Sequence, residues 1–262
     1  MSLNPVFGRD GRKFQSAAQE YATFNQPTPS ADDLQNMYDR PAYAPARYMS
    51  LDDVVVRTGA MLGMIVLTGA IAWAADLNGL AIVGALVGFV LAMIIAFKRI
   101  TNPAMLLSYA AAEGLFLGAI SHMYNDWKGG IVVQAIIGTV AVFAGMLVVY
   151  KTGAIRVTPK FNRWLTGALF GVVGVVLVNL IASMIAGHDA LGIWSGGPLA
   201  IGFSLLCIGI AAMSFLADFD MIDQAIRRGA PEKFAWYAAF GLTVTLVWLY
   251  LEILRLIGYM RD

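Results

Sequence analysis

From residue 51 onward, near-continuous apolar runs alternate with short polar connections. The runs extend approximately from Val54 to Ala75, Leu80 to Phe97, Pro103 to Met123, Ile131 to Tyr150, Leu165 to Ala186, Leu199 to Ile226 and Phe234 to Met260. Each has about the 20 residues that a helix needs to cross roughly 30 Å of hydrocarbon. They are apolar on every face, whereas the strands of a membrane barrel alternate with a period of two, so the pattern predicts helices. The connections carry helix breakers: DLNG at 76 to 79, NDWKGG at 125 to 130, SGGP at 195 to 198 and GAP at 229 to 231. Short connections favour antiparallel neighbours. The expected fold is all-α, a polytopic membrane protein with a seven-transmembrane-helix bundle. Its first helix starts after Ser50, with Asp53 three residues on as a capping partner.

Residues 1–50 read differently. Asn, Gln, Ser, Pro, Asp and Tyr are mixed there without helical or strand period. A largely disordered, cytoplasmic tail is expected over 1–50, with the membrane domain over 51–262. The tail lacks the 7 to 15 residue apolar stretch of a signal peptide, so no cleavage is expected.

Composition agrees with the class. Of 262 residues, 59% are hydrophobic and 13% charged, and the mean hydropathy is +0.69, against about 25% charged in soluble domains. The formal net charge of +1 offers no basic surface for nucleic acid. A single Cys207 with only His122 and His188 excludes an internal disulfide and a Cys/His zinc cluster. Lys and Arg are concentrated in alternate connections: six through Arg57, two at 98 to 99, four from Lys151 to Arg163 and three from Arg227 to Lys233, against none at 76 to 79, one at 128 and none at 187 to 198. The positive-inside rule then puts the amino terminus in the cytoplasm and, after seven crossings, the carboxyl terminus opposite. Arg255 and Arg261 leave open a re-entrant last segment. Glycines four apart, Gly59/Gly63, Gly84/Gly88, Gly114/Gly118 and Gly167/Gly171, mark expected helix-packing seams.

The chemistry is in the few deep charges, each of which costs roughly 2.5 to 3.5 kcal/mol to insert. Glu113 lies ten residues into the third run, Asp218, Asp220 and Asp223 cluster late in the sixth, and Glu252 lies within the seventh. All are acids, so each must be protonated, hold a cation or find a basic partner such as Arg99 or Arg227. Asp223 reads as a surface pair. Calcium suits oxygen-only ligands but wants 6 to 8 of them, more than these acids supply alone.

The segments SFLADFDMIDQ and TLVWLYLEILRLIG, with AFKRI and AEGLFLGAISHMY, resemble the transmembrane Bax inhibitor motif family, in its bacterial branch, over about residues 50 to 260. That resemblance implies a pH-sensitive calcium leak in a bacterial inner membrane, with Asp220 and Glu252 as the sensing acid pair and possible calcium ligands. It also implies Arg99, or Lys98, as latch partner. Glu252 stands where the family pattern usually has Asp. The spacing sets a condition: Asp220 is about nine residues before the GAP turn and Glu252 about 21 after it, a depth difference of roughly 18 Å. A meeting of the two therefore requires an extended connection around PEKFAW or a broken helix; otherwise Glu252 pairs elsewhere, with Glu113 or Arg57.

The functional expectation is a pH-sensitive cation (calcium) leak channel in the lipid bilayer, with no cofactor. The alternative is a non-conducting regulator that binds another membrane protein, such as a membrane-bound protease. An enzyme is not expected: Gly202-Phe203-Ser204 is followed by Leu205 where a nucleophile turn has Gly, and no acid pair sits at matched depth in a Gly-flanked motif. A Schiff-base pigment is excluded, since the six lysines lie in the tail, at segment ends or in connections.

Overall fold

The computed structural model describes residues 30–32, 35 and 47–261. The expected disorder over most of 1–50 therefore concerns residues outside the described ones. Arg47 to Arg261 form an all-α body of seven helices, each long and apolar enough to span a membrane. They are α1 (Leu51–Ala74), α2 (Ala81–Lys98), α3 (Pro103–Trp127), α4 (Ile131–Thr152), α5 (Pro159–Ala186), α6 (Pro198–Arg227) and α7 (Phe234–Met260), with a single 3-10 turn at Asn78–Leu80 before α2.

The helix ends follow local chemistry. Ser50 caps α1 in a reciprocal capping box: its Oγ accepts from the Asp53 amide at 3.2 Å and its own amide donates to Asp53 Oδ2 at 2.9 Å. Asn102 and Thr158 cap α3 and α5 by accepting from Ala104 and Phe161 amides, each just ahead of a proline in the first turn, where a missing N–H costs nothing. Left-handed glycines, Gly153 and Gly187, end α4 and α5.

The last helix is the axis of the bundle. Two apolar clusters meet on α7. One joins it to α4 and α6 through Ile131, Ala135, Phe215, Phe219, Leu249 and Leu254. The other joins it to α1, α2 and α3 through Met61, Ile95, Leu106, Tyr109, Phe240 and Val247. By contrast α5 packs against α6, and only Leu165 and Asn179 are buried on it; its exposed Phe170, Ile181 and Ile185 suit contact with lipid.

Two glycine pairs are seams and two are not. Gly118 lies against the Gly69 backbone, and Gly114 against Ile65 and Thr68, so α1 and α3 are in backbone contact; a Cβ at either position would collide with backbone. Gly84 lies against Ala112 and Phe116, and Gly88 against the Glu113 side chain, joining α2 to α3. Gly59, Gly63, Gly167 and Gly171 have nothing within 4 Å of an added Cβ among the described residues. Spacing finds a row of small residues but not which way the row faces. Residues 47–50 also depart from the expected tail, because Met49 is buried against the α6–α7 connection.

Gly118→Ala should lower the thermal midpoint in detergent markedly, with overpacking of about 1 to 3 kcal/mol or more, whereas Gly171→Ala, facing open space, should leave it unchanged.

Candidate functional site

α7 runs unbroken from Phe234 to Met260, and α6 ends at Arg227. Neither a broken helix nor a long extended connection is available to bring Asp220 to Glu252. Glu252 lies 18 residues beyond Phe234, or roughly 27 Å along α7, while Asp220 is seven residues before Arg227, roughly 10 Å from the same end. The acid pair does not form, and the two residues make no common calcium site. Among the described residues, no group of three or more His, Cys, Asp or Glu side chains could hold a metal ion.

Each acid has its own surroundings. Asp220 faces a polar recess of about 320 Å³ lined by Asn162, Gln224, Arg228 and Phe234, and Gln224 Nε2 donates to it at 2.6 Å. Glu252 is buried near the Ala74 end of the bundle and pairs with Arg255 at 2.5 Å. The Arg255 guanidinium also donates to Ser204 Oγ at 3.2 Å and lies 5.9 Å from the Phe203 ring centroid. Glu252 thus meets neither Glu113 nor Arg57. Arg255 is drawn into the bundle instead of reaching the interface. The i, i+3 spacing of Glu252 and Arg255 was visible in the sequence and is the signal for this pair.

Arg99 is no latch. It is the exposed residue that ends α2, with a left-handed φ of 49°; among the described residues no ion pair involves it or Lys98. Asp223 pairs with Arg227 at 2.9 Å on one helix face.

Three of the five deep acids have no basic partner among the described residues: Asp220, whose donor is the neutral Gln224 carboxamide, Asp218 and Glu113. Thr245 Oγ1 of α7 donates to Asp218 Oδ2 at 2.8 Å, while Gly241, one turn earlier, leaves room beside Asp218 Oδ1. Asp218 rather than Asp220 faces α7 because two residues turn a helix by about 200°, which sends Asp220 to the opposite side. Glu113 lies one turn after Tyr109, whose ring meets Phe240 of α7 edge-on at 5.0 Å. Asp218 is nine residues from Arg227 and Glu113 ten from Pro103, both counted from the Leu51 end. They therefore share a depth of about 14 to 15 Å, near the midplane, on two sides of α7. The sequence showed both acids but not Thr245, since nothing in the run GLTVTLVWLY distinguishes it from Thr243.

Above this level a cleft of about 510 Å³ opens between α1 and α4, floored by α3 and α7. Its polar feature is the Ser121 Oγ to Tyr250 hydroxyl contact of 2.6 Å.

A sequence model described as Bax inhibitor 1 like matches residues 4–262. A protein of Chlamydia muridarum (strain MoPn / Nigg), described as an uncharacterized protein, is 27% identical over 137 residues, 51% of this chain and 52% of that one. The chain thus matches about half the length of this curated relative.

Arg255→Met should destabilise the protein by about 3 to 5 kcal/mol, because Glu252 is left buried and unpaired, and Glu252→Leu combined with Arg255→Met should recover most of that loss. Thermal unfolding in detergent reads both.

Proposed function

Because the chain belongs to the Bax inhibitor 1 like family, we propose that this integral membrane protein is a pH-sensitive cation leak, with calcium as the permeant ion. The observation that carries the reading is Asp218: a carboxyl at mid-bilayer depth whose hydrogen-bond donor is a neutral hydroxyl. Such a group is held neutral by a proton or attracts a cation. The proton state is therefore the switch. Protonated, Asp218 bonds to Thr245 and offers no charge. Ionised, it lowers the barrier for a cation at the depth where the barrier is highest. Glu113 supplies a second carboxyl at that depth, on the other side of α7.

Asp218 and Thr245 provide at most three oxygens between them, so a calcium ion there keeps much of its water. That suits brief occupancy during passage better than storage. The alternation of basic connections favours the cytoplasm for the Leu51 end, and a bacterial inner membrane is the expected location.

Calcium flux into liposomes holding the purified full chain, measured from pH 5 to 8, tests the reading. Flux should rise with pH in the wild type. Asp218→Asn should lower it at pH 8 about tenfold, equivalent to roughly 1.4 kcal/mol of barrier, and flatten the pH response. Glu252→Gln should keep the response. A wild-type flux at the level of empty liposomes favours the non-conducting regulator, and an Asp218→Asn variant matching the wild type removes that carboxyl from the mechanism.

A further inference from the structure

The α6–α7 connection is fastened to the start of α1 by both backbone and side-chain contacts. Residues 47–50 run antiparallel to residues 230–232: the Met49 amide donates to the Ala230 carbonyl at 2.8 Å, the Glu232 amide donates to the Arg47 carbonyl at 2.9 Å, and Tyr48 pairs with Pro231 between them. The Tyr48 ring closes over Gly229, at 3.5 Å from the position of a Cβ there, where φ is +66°. Side chains repeat the link. Arg57, one and a half turns into α1 and 12% exposed, bonds Glu232 at 2.6 Å, approaches Asp53 at 3.4 Å and lies 5.7 Å from the Trp236 ring centroid. Arg47 reaches the same two acids, Asp53 at 3.4 Å and Glu232 at 3.7 Å.

This fastening lies next to the helix that carries Thr245. Glu232 is two residues before α7, and α7 is a continuous rod, so the position of the connection sets the position of Thr245 against Asp218. The Arg57–Glu232 pair, 12% and 31% exposed, holds two elements in one arrangement, and removing one partner leaves the other charge short of solvation.

We propose that residues 47–50, with Arg57 and Glu232, form a strap that holds α7 in the low-permeability arrangement, and that its release opens the cation path. The inference rests on the leak reading above. Displacing the chain just ahead of α1 acts directly on this strap, which makes it a point of control separate from the protonation of Asp218.

The test uses the full chain in liposomes with calcium as the probe. Glu232→Gln should raise flux at least threefold at pH 7, while Lys233→Gln, next to it and exposed, should leave it unchanged. In a Cys207→Ser background, Tyr48→Cys with Pro231→Cys gives a cross-link across the bridge. Oxidation should bring the elevated flux of Glu232→Gln back to the wild-type level, and dithiothreitol should raise it again. An unchanged flux in Glu232→Gln, or a flux that stays elevated under the cross-link, overturns the strap while the wild-type pH response leaves the leak reading standing. Absence of flux in every variant, wild type included, overturns the leak reading and the gating role together.

Discussion

Within hydrocarbon, apolar helices gain little by hiding from lipid in one another, so what holds this bundle is close backbone approach and a small number of polar links. Both are concentrated on few helices. Gly114 and Gly118 let α3 lie directly on α1, and α7 is packed between the α1–α2–α3 cluster and the α4–α6 cluster. Everything with a charge in the interior is arranged around that axis. Glu252 and Arg255 are on α7, Asp218 touches it, Glu113 lies one turn from Tyr109, whose ring meets it at Phe240, and Arg57 is tied to the connection that leads into it. α5 shows the opposite condition. It shares few buried residues with the rest and presents apolar side chains outward, which in water would be untenable and in lipid is ordinary.

The interior charges divide by how they are neutralised. Glu252 has a cation built beside it, and Asp53 has Arg57 and Arg47; these pairs hold parts of the structure together and do not depend on an added ion. Asp218 has a hydroxyl donor and Asp220 a carboxamide instead. Neutral donors stabilise a carboxyl without cancelling its charge, so such sites respond to what the surroundings supply. That division, more than the number of acids, separates residues with a structural task from those suited to a transport task.

The fold was legible because it is written in lengths. Apolar runs near 20 residues, the first preceded by Ser50 and separated by short breaker-rich connections, specify seven helices with few competing readings. The site was legible as a set of acids but not as a geometry. Sequence spacing correctly raised the depth mismatch between Asp220 and Glu252, yet the family pattern favoured pairing them, and the continuous α7 decides against it. Which of Asp218 and Asp220 faces α7 depends on helix rotation, and several apolar faces of α6 are alike enough that the pattern leaves that angle undetermined. The Arg57–Glu232 link is invisible for another reason: its partners are separated by 175 residues, and each by itself reads as an interfacial charge.

The uninterrupted course of α7 has a mechanical corollary. With no proline inside its 27 residues, it is a stiff shaft of about 40 Å, so twisting or sliding it at one leaflet is felt at the other with little lost to bending. A displacement at Trp236, near its first turn, is therefore carried along the helix toward Arg255 and Ser204 without any helix unwinding.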